Sequence, residues 1–385
     1  MLFVAVSWGH QPRASLTSRS RCTNRMWPAP PTRQILSRPK LWFAIPGDLE
    51  TMTGGYVYAR HLIENLQATG WRVEVLSLPV GFPRPTDEEI HQTRRLFEAL
   101  PPGSLVLVDG LAFGATPRVV FDGLQLNFVA LVHHPLALET GLTDAERQRL
   151  KESERVALNA ACRVIVTSPF TADTLVESYG VPRSKLDVAL PGTDQKQRAE
   201  RNKSPPQLLT VATVTHRKGY DVLVGALAQL ADLAWTAISI GSLAREPDTV
   251  AKLKIFAQNS HIAARIEFRG EVSAETLEAE YNRASIFVLP SRYEGYGMAF
   301  AEALAHGLPV VACASGAVPL TVPKNASLLV PVDNVEALSL ALRRLLCDSN
   351  LSDSLSNAAW EHAQGLPSWA NTGTSVATAL SAVTR

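Results

Sequence analysis

Residues 286–310 read IFVLPSRYEGYGMAFAEALAHGLPV, and this stretch decides the fold class. Its first four residues are apolar and include β-branched side chains, which predicts a buried strand. A loop containing Gly295 and Gly297 follows, a helix is predicted over 297–306, and a second apolar strand over 309–313. A strand, a helix and a strand at this spacing form a βαβ unit, so the two strands are expected to lie parallel in one sheet.

The same alternation extends to both sides of this stretch, over residues 41–194 and over residues 205–365. The segment 195–206 between the two series is polar and ends in prolines, as is typical of a linker. The sequence therefore predicts two Rossmann-like, doubly wound α/β domains that face a central cleft, where such folds bind ligands. Residues 366–385 are predicted as a C-terminal helix that packs back on the N-terminal domain. The predicted strands are 41–46, 72–78, 104–108, 127–132, 163–167 and 187–190 in the first domain, and 208–214, 236–240, 265–269, 286–289, 309–313 and 327–330 in the second.

Composition excludes several classes of protein. With 46% hydrophobic and 19% charged residues, the chain is neither disordered nor fibrous. The net charge is +1, but residues 1–40 hold seven basic residues and no acidic one, so the rest carries 30 basic and 36 acidic residues. A mildly acidic body argues against nucleic acid as the main partner. Residues 1–40 are interpreted as a targeting-like or disordered basic extension, and their prolines favour disorder.

The cysteines, the metal motifs and the apolar runs point to a cytoplasmic protein without a metal. The four cysteines lie far apart with no CxxC pair, which argues against a zinc site and a disulfide framework. We find no convincing Asp-x-Asp metal motif, and no GxGxxG follows a predicted strand, which disfavours a nicotinamide-dependent dehydrogenase. The sequence contains no uninterrupted run of about 20 apolar residues, which is the length that spans a membrane. Peripheral membrane contact is left open.

The loop and helix at 291–306 carry the first candidate ligand site. Gly295 and Gly297 allow a ligand to approach the backbone closely. The first N–H groups of the predicted helix have no intrahelical partner and suit phosphate; they belong to Gly297, Met298 and Ala299. Glu302 follows Glu294 by eight residues, or roughly 12 Å along a helix, so the two carboxylates are expected to contact two ends of one extended ligand. The alternatives are a solvated loop carboxylate for Glu294 and a surface residue for Glu302.

Two adjacent cations form the second candidate element. Arg217 and Lys218 follow the predicted strand 208–214 and precede a helix, at the same edge of the sheet as Glu294. Arg217 offers a planar fork for phosphate oxygens and Lys218 a point charge. The alternative is a basic cap on a surface loop. His306, by contrast, is expected to cap a helix C-terminus and not to act in catalysis.

Glu294-x7-Glu302, in the setting PSRYEGYGMAFAEALAHGLPVVA, resembles the donor-binding motif of retaining GT-B glycosyltransferases of the GT4 type, the glycosyl transferases group 1 family. The resemblance covers nearly the whole chain after residue 40. It implies a nucleotide-diphosphate sugar donor bound mainly by the C-terminal domain, and an acceptor hydroxyl on a glycan, lipid or small molecule bound mainly by the N-terminal domain. It further implies retention of the anomeric configuration, with no cofactor and no metal.

The resemblance also implies roles for single residues. Glu302 would bind the ribose and Glu294 the donor sugar, while Arg217 and Lys218 would neutralise the departing diphosphate. Where many relatives have Gly-Arg earlier in the cation loop, this chain has Ala212-Thr213. The remaining implied site residues are Gly54 and Gly55 for the phosphates, either His133 or His134 beside the donor sugar, and Glu271 and Val272 at the nucleobase.

Two other functions remain open from sequence. A catalytically inactive nucleotide-sugar-binding protein of the same fold is the main alternative, and the retained acids and cations argue against it. A GT-B phosphorylase or epimerase is the other, although we see no candidate Schiff-base lysine. The donor base, the sugar, the acceptor and the oligomeric state are not predicted.

Overall fold

The computed structural model describes residues 39–139 and 141–383, which all fall within a single compact unit of the chain. The predicted basic extension lies outside the described residues except for its last two positions. The described chain builds two six-stranded sheets in which every strand pair is parallel. The predicted fold class, two doubly wound α/β units, is therefore confirmed.

The first sheet and its helices form what we call the N-terminal lobe. Its strand order is β2-β1-β3-β4-β5-β6. The chain places β2 on one side of β1 and then β3 to β6 on the other side, as expected of a doubly wound sheet. The strands are β1 (Lys40–Pro46), β2 (Arg72–Leu78), β3 (Leu105–Asp109), β4 (Asn127–Val132), β5 (Arg163–Val166) and β6 (Leu186–Val188). The helices are α1 (Gly54–Ala68), α2 (Asp87–Glu98), α3 (Gly110–Phe113), α4 (Asp144–Ala160) and α5 (Pro169–Tyr179).

The second sheet and its helices form the C-terminal lobe, with strand order β12-β11-β10-β7-β8-β9. The strands are β7 (Gln207–Val211), β8 (Thr236–Ile240), β9 (Ile266–Gly270), β10 (Ile286–Leu289), β11 (Val310–Cys313) and β12 (Ser327–Val330). The helices of this half of the chain are α6 (Tyr220–Ala228), α7 (Pro247–Asn259), α8 (Ala274–Arg283), α9 (Met298–Ala305), α10 (Val318–Thr321), α11 (Val335–Cys347), α12 (Ser349–Ala363) and α13 (Trp369–Ser381).

Local sequence explains where several helices begin and end. Thr86 and Glu89 form a capping box at the start of α2, and Thr143 and Glu146 form another at the start of α4. Each box satisfies backbone N–H groups that the first helical turn leaves unpaired. Helix α5 ends at Gly180, whose φ of 66° is a left-handed conformation that glycine adopts without steric cost.

The largest difference from the predicted elements lies after β7. The sequence predicts a strand over 208–214, whereas β7 ends at Val211 and a 3₁₀ turn, His216–Lys218, follows. Beyond Val211 the chain passes close to Gly241, where the Ala212 carbonyl occupies the space that a Cβ at residue 241 would need. Helices α7 and α8 have no counterpart among the predicted elements.

The last helix, α13, packs on the N-terminal lobe although it follows the C-terminal lobe in the chain. The Trp369 indole stacks on the His61 ring with centroids 4.3 Å apart. The Thr372 hydroxyl donates to the Leu190 carbonyl at 2.7 Å, and Gly373 lies against Asn65 of α1. Among residues 39–139 and 141–383, no helix combines the length and the apolar character needed to cross a membrane.

Candidate functional site

The loop after β10, residues 290–297, brings the two lobes into contact. The Thr171 hydroxyl of the N-terminal lobe lies 3.4 Å from the Gly295 carbonyl oxygen. A Cβ on Gly295 would overlap the backbone carbonyl oxygen of His133, so glycine allows the closest approach of the two backbones. Met298, at the start of α9, packs against the N-terminal lobe, with its sulfur 3.9 Å from the Cβ position of Gly54.

Adding one methyl group at this contact is expected to keep the lobes apart. Gly295→Ala places its Cβ on the His133 carbonyl oxygen, a backbone atom of a buried strand end that cannot move cheaply. We expect a larger radius of gyration by small-angle X-ray scattering, because a methyl group inserted where there is no room forces the two backbones apart. Gly365→Ala is the matched control, since its nearest neighbour lies 3.6 Å away. Unchanged scattering would contradict the expectation.

Two cations and one carboxylate form a compact cluster beside this contact. The Lys218 ammonium lies 2.6 Å from Glu294 Oε1, and the Arg217 guanidinium lies 3.7 Å from Oε2 of the same residue. The Glu294 side chain is 7% exposed, and the two cationic side chains are 16% and 15% exposed. The sequence-predicted residues 217, 218 and 294 therefore lie together in one nearly buried group.

The backbone holds these residues in place through neighbouring strand ends. Strands β7 and β10 are adjacent, so the loops that follow them start at the same edge of the sheet. The Arg292 N–H donates to the Arg217 carbonyl at 2.8 Å, which ties one loop to the other. Gly219 has a φ of 69° and leaves no room for a Cβ against the Pro290 carbonyl, so the two loops pack closely.

Electrostatics keep Glu294 ionised. Burial alone would favour the neutral acid, but Lys218 and Arg217 together outweigh that effect, so the pKa of the Glu294 carboxyl lies below its ordinary value. A buried carboxylate that stays charged at neutral pH can accept hydrogen bonds and can stabilise positive charge on a bound ligand.

The two candidate histidines occupy different surroundings in the N-terminal lobe. The His133 ring lies against Gly55, with Cδ2 3.4 Å from the Cβ position of that residue, and its Nε2 lies 3.7 Å from an Asp109 oxygen. His134 Nε2 lies 3.3 Å from Glu139, and burial lowers the pKa of its imidazole. His133 thus lies beside Gly55 at the start of α1, whereas His134 belongs to the ion-pair network around Arg217.

Glu139 is a site residue that the sequence did not reveal. Its Oε1 accepts a hydrogen bond from Arg217 Nε at 2.8 Å across the lobe contact, from a position 78 residues away in the chain. The carboxylate also contacts His134, so it links a histidine of one lobe to a cation of the other. The loop that carries it has no recognisable motif, and only the packing of the two lobes brings this acid to Arg217.

Glu302 lies in a neighbouring group of residues. Its Oε2 accepts a hydrogen bond from the Tyr281 hydroxyl at 2.9 Å. Burial raises the pKa of the Glu302 carboxyl, and the Tyr281 hydrogen bond opposes that rise. No described contact joins Glu302 to Glu294, and the first turn of α9 separates them along the chain. The two acids are therefore placed on either side of a helix N-terminus, whose first N–H groups lack intrahelical acceptors.

The remaining predicted site residues are Gly297, Ala299, Glu271 and Val272. Gly297 begins α9 with a φ of 90°, and a Cβ there would overlap the Phe300 ring. Ala299 is partly exposed in the first turn of the helix. Glu271 and Val272 follow β9; Glu271 is exposed, and Val272 packs on the core of the C-terminal lobe. Within residues 39–139 and 141–383, no group of His, Cys, Asp or Glu is arranged to hold a metal ion.

A buried carboxyl supports the loop that carries the histidines. Glu154 of α4 is 1% exposed, and its Oε2 accepts a hydrogen bond from the Leu136 N–H at 2.9 Å, two residues after His134. Burial raises the pKa of this carboxyl to about 8 from 4.5. The group is therefore neutral at pH 7, and its ionisation costs stability.

This burial predicts a specific loss of stability as pH rises from about 4.5 to about 8. Because the folded pKa of Glu154 lies above the unfolded one, its contribution is complete below about 4.5 and is lost as pH rises through about 8. Between pH 6 and pH 9 the loss amounts to about 3 kcal/mol. Glu154→Gln keeps an acceptor for Leu136 and should remove this part of the decline in melting temperature. Glu152→Gln, an exposed change on the same helix, should leave the decline unchanged; equal declines in all three proteins would contradict the assignment.

Comparison with known proteins identifies two family models along the chain. Residues 192–362 match the model described as Glycosyl transferases group 1. Residues 52–197 match the model described as Glycosyltransferase Family 4. Together the two matches include most of both lobes, without β1 and α13, and every residue of the cluster described above.

Individual relatives are distant in sequence. The chain is 31% identical over 267 residues to D-inositol 3-phosphate glycosyltransferase of Mycobacteroides abscessus, which covers 64% of this chain and 59% of that protein. It is 26% identical over 238 residues to mannosylfructose-phosphate synthase of Agrobacterium fabrum, covering 57% of this chain and 52% of the relative. The chain thus spans between about half and two thirds of the length of the curated relatives it matches.

Solved structures share the fold over most of the chain. Sucrose-phosphate synthase from Thermosynechococcus elongatus superposes with a TM-score of 0.76 at 23% identity, covering 90% of this chain and 99% of that one. Anabaena Alr3699/HepE in complex with UDP and glucose superposes with a TM-score of 0.72 at 16% identity, covering 89% and 100%.

Proposed function

Because the chain belongs to the glycosyl transferases group 1 family, of the GT4 type and the GT-B fold, we propose that it moves a sugar from a nucleotide-diphosphate donor to an acceptor hydroxyl with retention and without a metal. The observation that carries the proposal is the buried group formed by Arg217, Lys218 and Glu294. It combines two cations for a departing diphosphate with an ionised acid for the sugar, at the carboxyl ends of two adjacent strands of a doubly wound sheet.

In the proposed reaction, the bond between the anomeric carbon and the diphosphate oxygen breaks while the acceptor oxygen bonds to the same face of that carbon. The acceptor proton passes to the departing diphosphate. Arg217, Lys218 and the N–H groups at the start of α9 stabilise the negative charge that develops on the leaving group. No protein nucleophile is required, so the chain's contribution is positioning and electrostatics.

The remaining residues would complete the site from both sides. Glu294, kept ionised by its two cations, would accept hydrogen bonds from sugar hydroxyls and favour positive charge at the anomeric carbon. Gly54 and Gly55 would bring backbone N–H groups to the phosphates, and His133 beside Gly55 would approach the sugar. Glu302 would bind the ribose, with Glu271 and Val272 near the base. Closure of the lobes would exclude water and strengthen these interactions.

Binding of a nucleotide tests the proposal most directly. UDP, GDP and ADP, followed by their sugar conjugates, are screened by the rise in melting temperature that they cause. A ligand present at 100 times its dissociation constant adds about 2.7 kcal/mol of stability. Sugar release or transfer from the best donor is then followed by NMR, which reads the anomeric configuration of the product. Failure of every nucleotide to bind would refute the proposal, and an inverted product would refute retention.

A further inference from the structure

The Glu302 carboxylate uses only one of its oxygens within the protein. Oε2 accepts the hydrogen bond from Tyr281 at 2.9 Å. Among residues 39–139 and 141–383, no donor lies within hydrogen-bond distance of Oε1, and the residue is partly exposed. A carboxylate can accept about four hydrogen bonds, so the group has capacity left for a ligand.

The Tyr281 hydroxyl is the hydrogen-bond donor to the Glu302 carboxylate. The residue is 2% exposed, and burial together with the adjacent Glu302 raises the pKa of its phenol far above the ordinary value. The hydroxyl therefore keeps its proton at physiological pH. Its alternative acceptor, the Ala299 carbonyl, is farther away at 3.4 Å, so the proton is directed to Glu302.

A neutral histidine holds the Tyr281 ring in place. The His306 ring stacks on it with centroids 4.8 Å apart and an angle of 3° between the planes. Its Nδ1 lies 3.2 Å from two oxygens, those of Gln197 and Asn282, and so carries the proton. Burial lowers the pKa of His306 to about 4, and the uncharged ring is therefore not the dipole-stabilising helix cap expected from sequence.

The same histidine fastens this group to the segment that joins the lobes. The Ala199 N–H donates to the His306 carbonyl at 2.8 Å, and Gln197 accepts from the ring. Lys196 of the same segment pairs with Glu278 at 2.8 Å. Tyr281 thus contacts both Glu302 and His306, and His306 contacts the linker segment, residues 195–206.

We propose that Tyr281 is a positioning residue for nucleotide recognition: its hydroxyl holds one oxygen of Glu302 and leaves the other for a ribose hydroxyl. The inference rests on the proposed function, because it takes the ligand of Glu302 to be a nucleotide ribose. A single bond to a fixed oxygen limits the orientations of the carboxylate, so a ribose hydroxyl meets an acceptor that is already oriented.

The test compares ribose with deoxyribose in three forms of the full-length chain. Wild type, Tyr281→Phe and Glu302→Gln are titrated by calorimetry with UDP, GDP and ADP and with their 2′,3′-dideoxy counterparts. Tyr281→Phe keeps the ring that stacks on His306, so that contact is retained. Tyr179→Phe is the matched control, since its buried hydroxyl also lies beside a buried carboxyl, that of Glu154. Melting temperatures verify that each variant folds.

We expect wild type and Tyr179→Phe to prefer the ribonucleotide by at least about tenfold. Tyr281→Phe and Glu302→Gln should lose most of that preference while their affinity for the dideoxy form stays unchanged. If Glu302→Gln loses the preference and Tyr281→Phe keeps it, the positioning role is wrong and the proposed function stands. If wild type binds both sugars equally, the ribose role of Glu302 is wrong and the inference falls with it. If wild type binds no nucleotide, the proposed function itself fails and takes the inference with it.

Discussion

Glu294→Gln is expected to lower the turnover number by about 10²- to 10³-fold while the protein stays folded. The reason lies in the charge of this buried carboxylate. Lys218 and Arg217 hold its pKa below the ordinary value, so in the proposed complex the wild-type site would present a negative charge to the donor sugar. Glutamine has the same shape and keeps an oxygen for the Lys218 ammonium, which lies 2.6 Å from Oε1. The substitution therefore removes charge stabilisation of the transition state and little of the packing.

The measurement separates binding from chemistry. Donor affinity by calorimetry should change little compared with the turnover number, because the lost interaction is strongest in the transition state. Glu280→Gln is the matched control: this glutamate of the same lobe is 2% exposed and pairs with Arg269 at 2.7 Å, but none of its partners belongs to the cluster. It should lower stability and leave turnover nearly intact. Near-normal transfer by Glu294→Gln would remove this residue from the mechanism.

The second large effect is expected at Lys218. Lys218→Met keeps most of the unbranched chain but removes the ammonium that contacts Glu294 and that would meet the departing diphosphate. We expect kcat/KM for the donor to fall by about 10³-fold, since a cation clamp on a phosphoryl leaving group is among the larger electrostatic contributions to catalysis. The melting temperature should also fall, because loss of one partner leaves the Glu294 carboxylate buried with only the more distant Arg217.

A double variant distinguishes the loss of activity from the loss of stability. In Lys218→Met/Glu294→Gln neither charge of the pair remains, so stability should recover relative to Lys218→Met alone, whereas activity should not. The stability change also has a pH signature. The pKa of Glu294 is depressed in the folded state, so the ion pair contributes stability above the unfolded pKa of about 4.5, and that contribution is lost as pH falls through the lower folded pKa. A double variant as unstable as Lys218→Met would contradict the assigned ion pair.

Much of the fold could be predicted because its signals are local. The strand over 286–289 and the strand over 236–240 have the predicted bounds, since each is a short run with β-branched residues that is followed by proline or glycine. The close approach of the Ala212 carbonyl to Gly241, which follows β8, could not be predicted, because the two residues meet only in the folded chain. Helix α8 was missed because most of its residues are polar, and its placement depends on a few buried side chains such as Tyr281.

Local sequence patterns were enough to predict the fold class and to single out Glu294, Glu302 and the cations at 217 and 218 as candidates, because periodicity and motif spacing act over a few residues. Which groups lie close together depends on how the whole chain packs. Arg217 and Glu139 are 78 residues apart, and Tyr281 reaches Glu302 from a different helix. Such pairs form because the carboxyl ends of parallel strands lie at one edge of the sheet and because the two lobes meet at Gly295. That arrangement is fixed by long-range packing, which local sequence patterns do not encode.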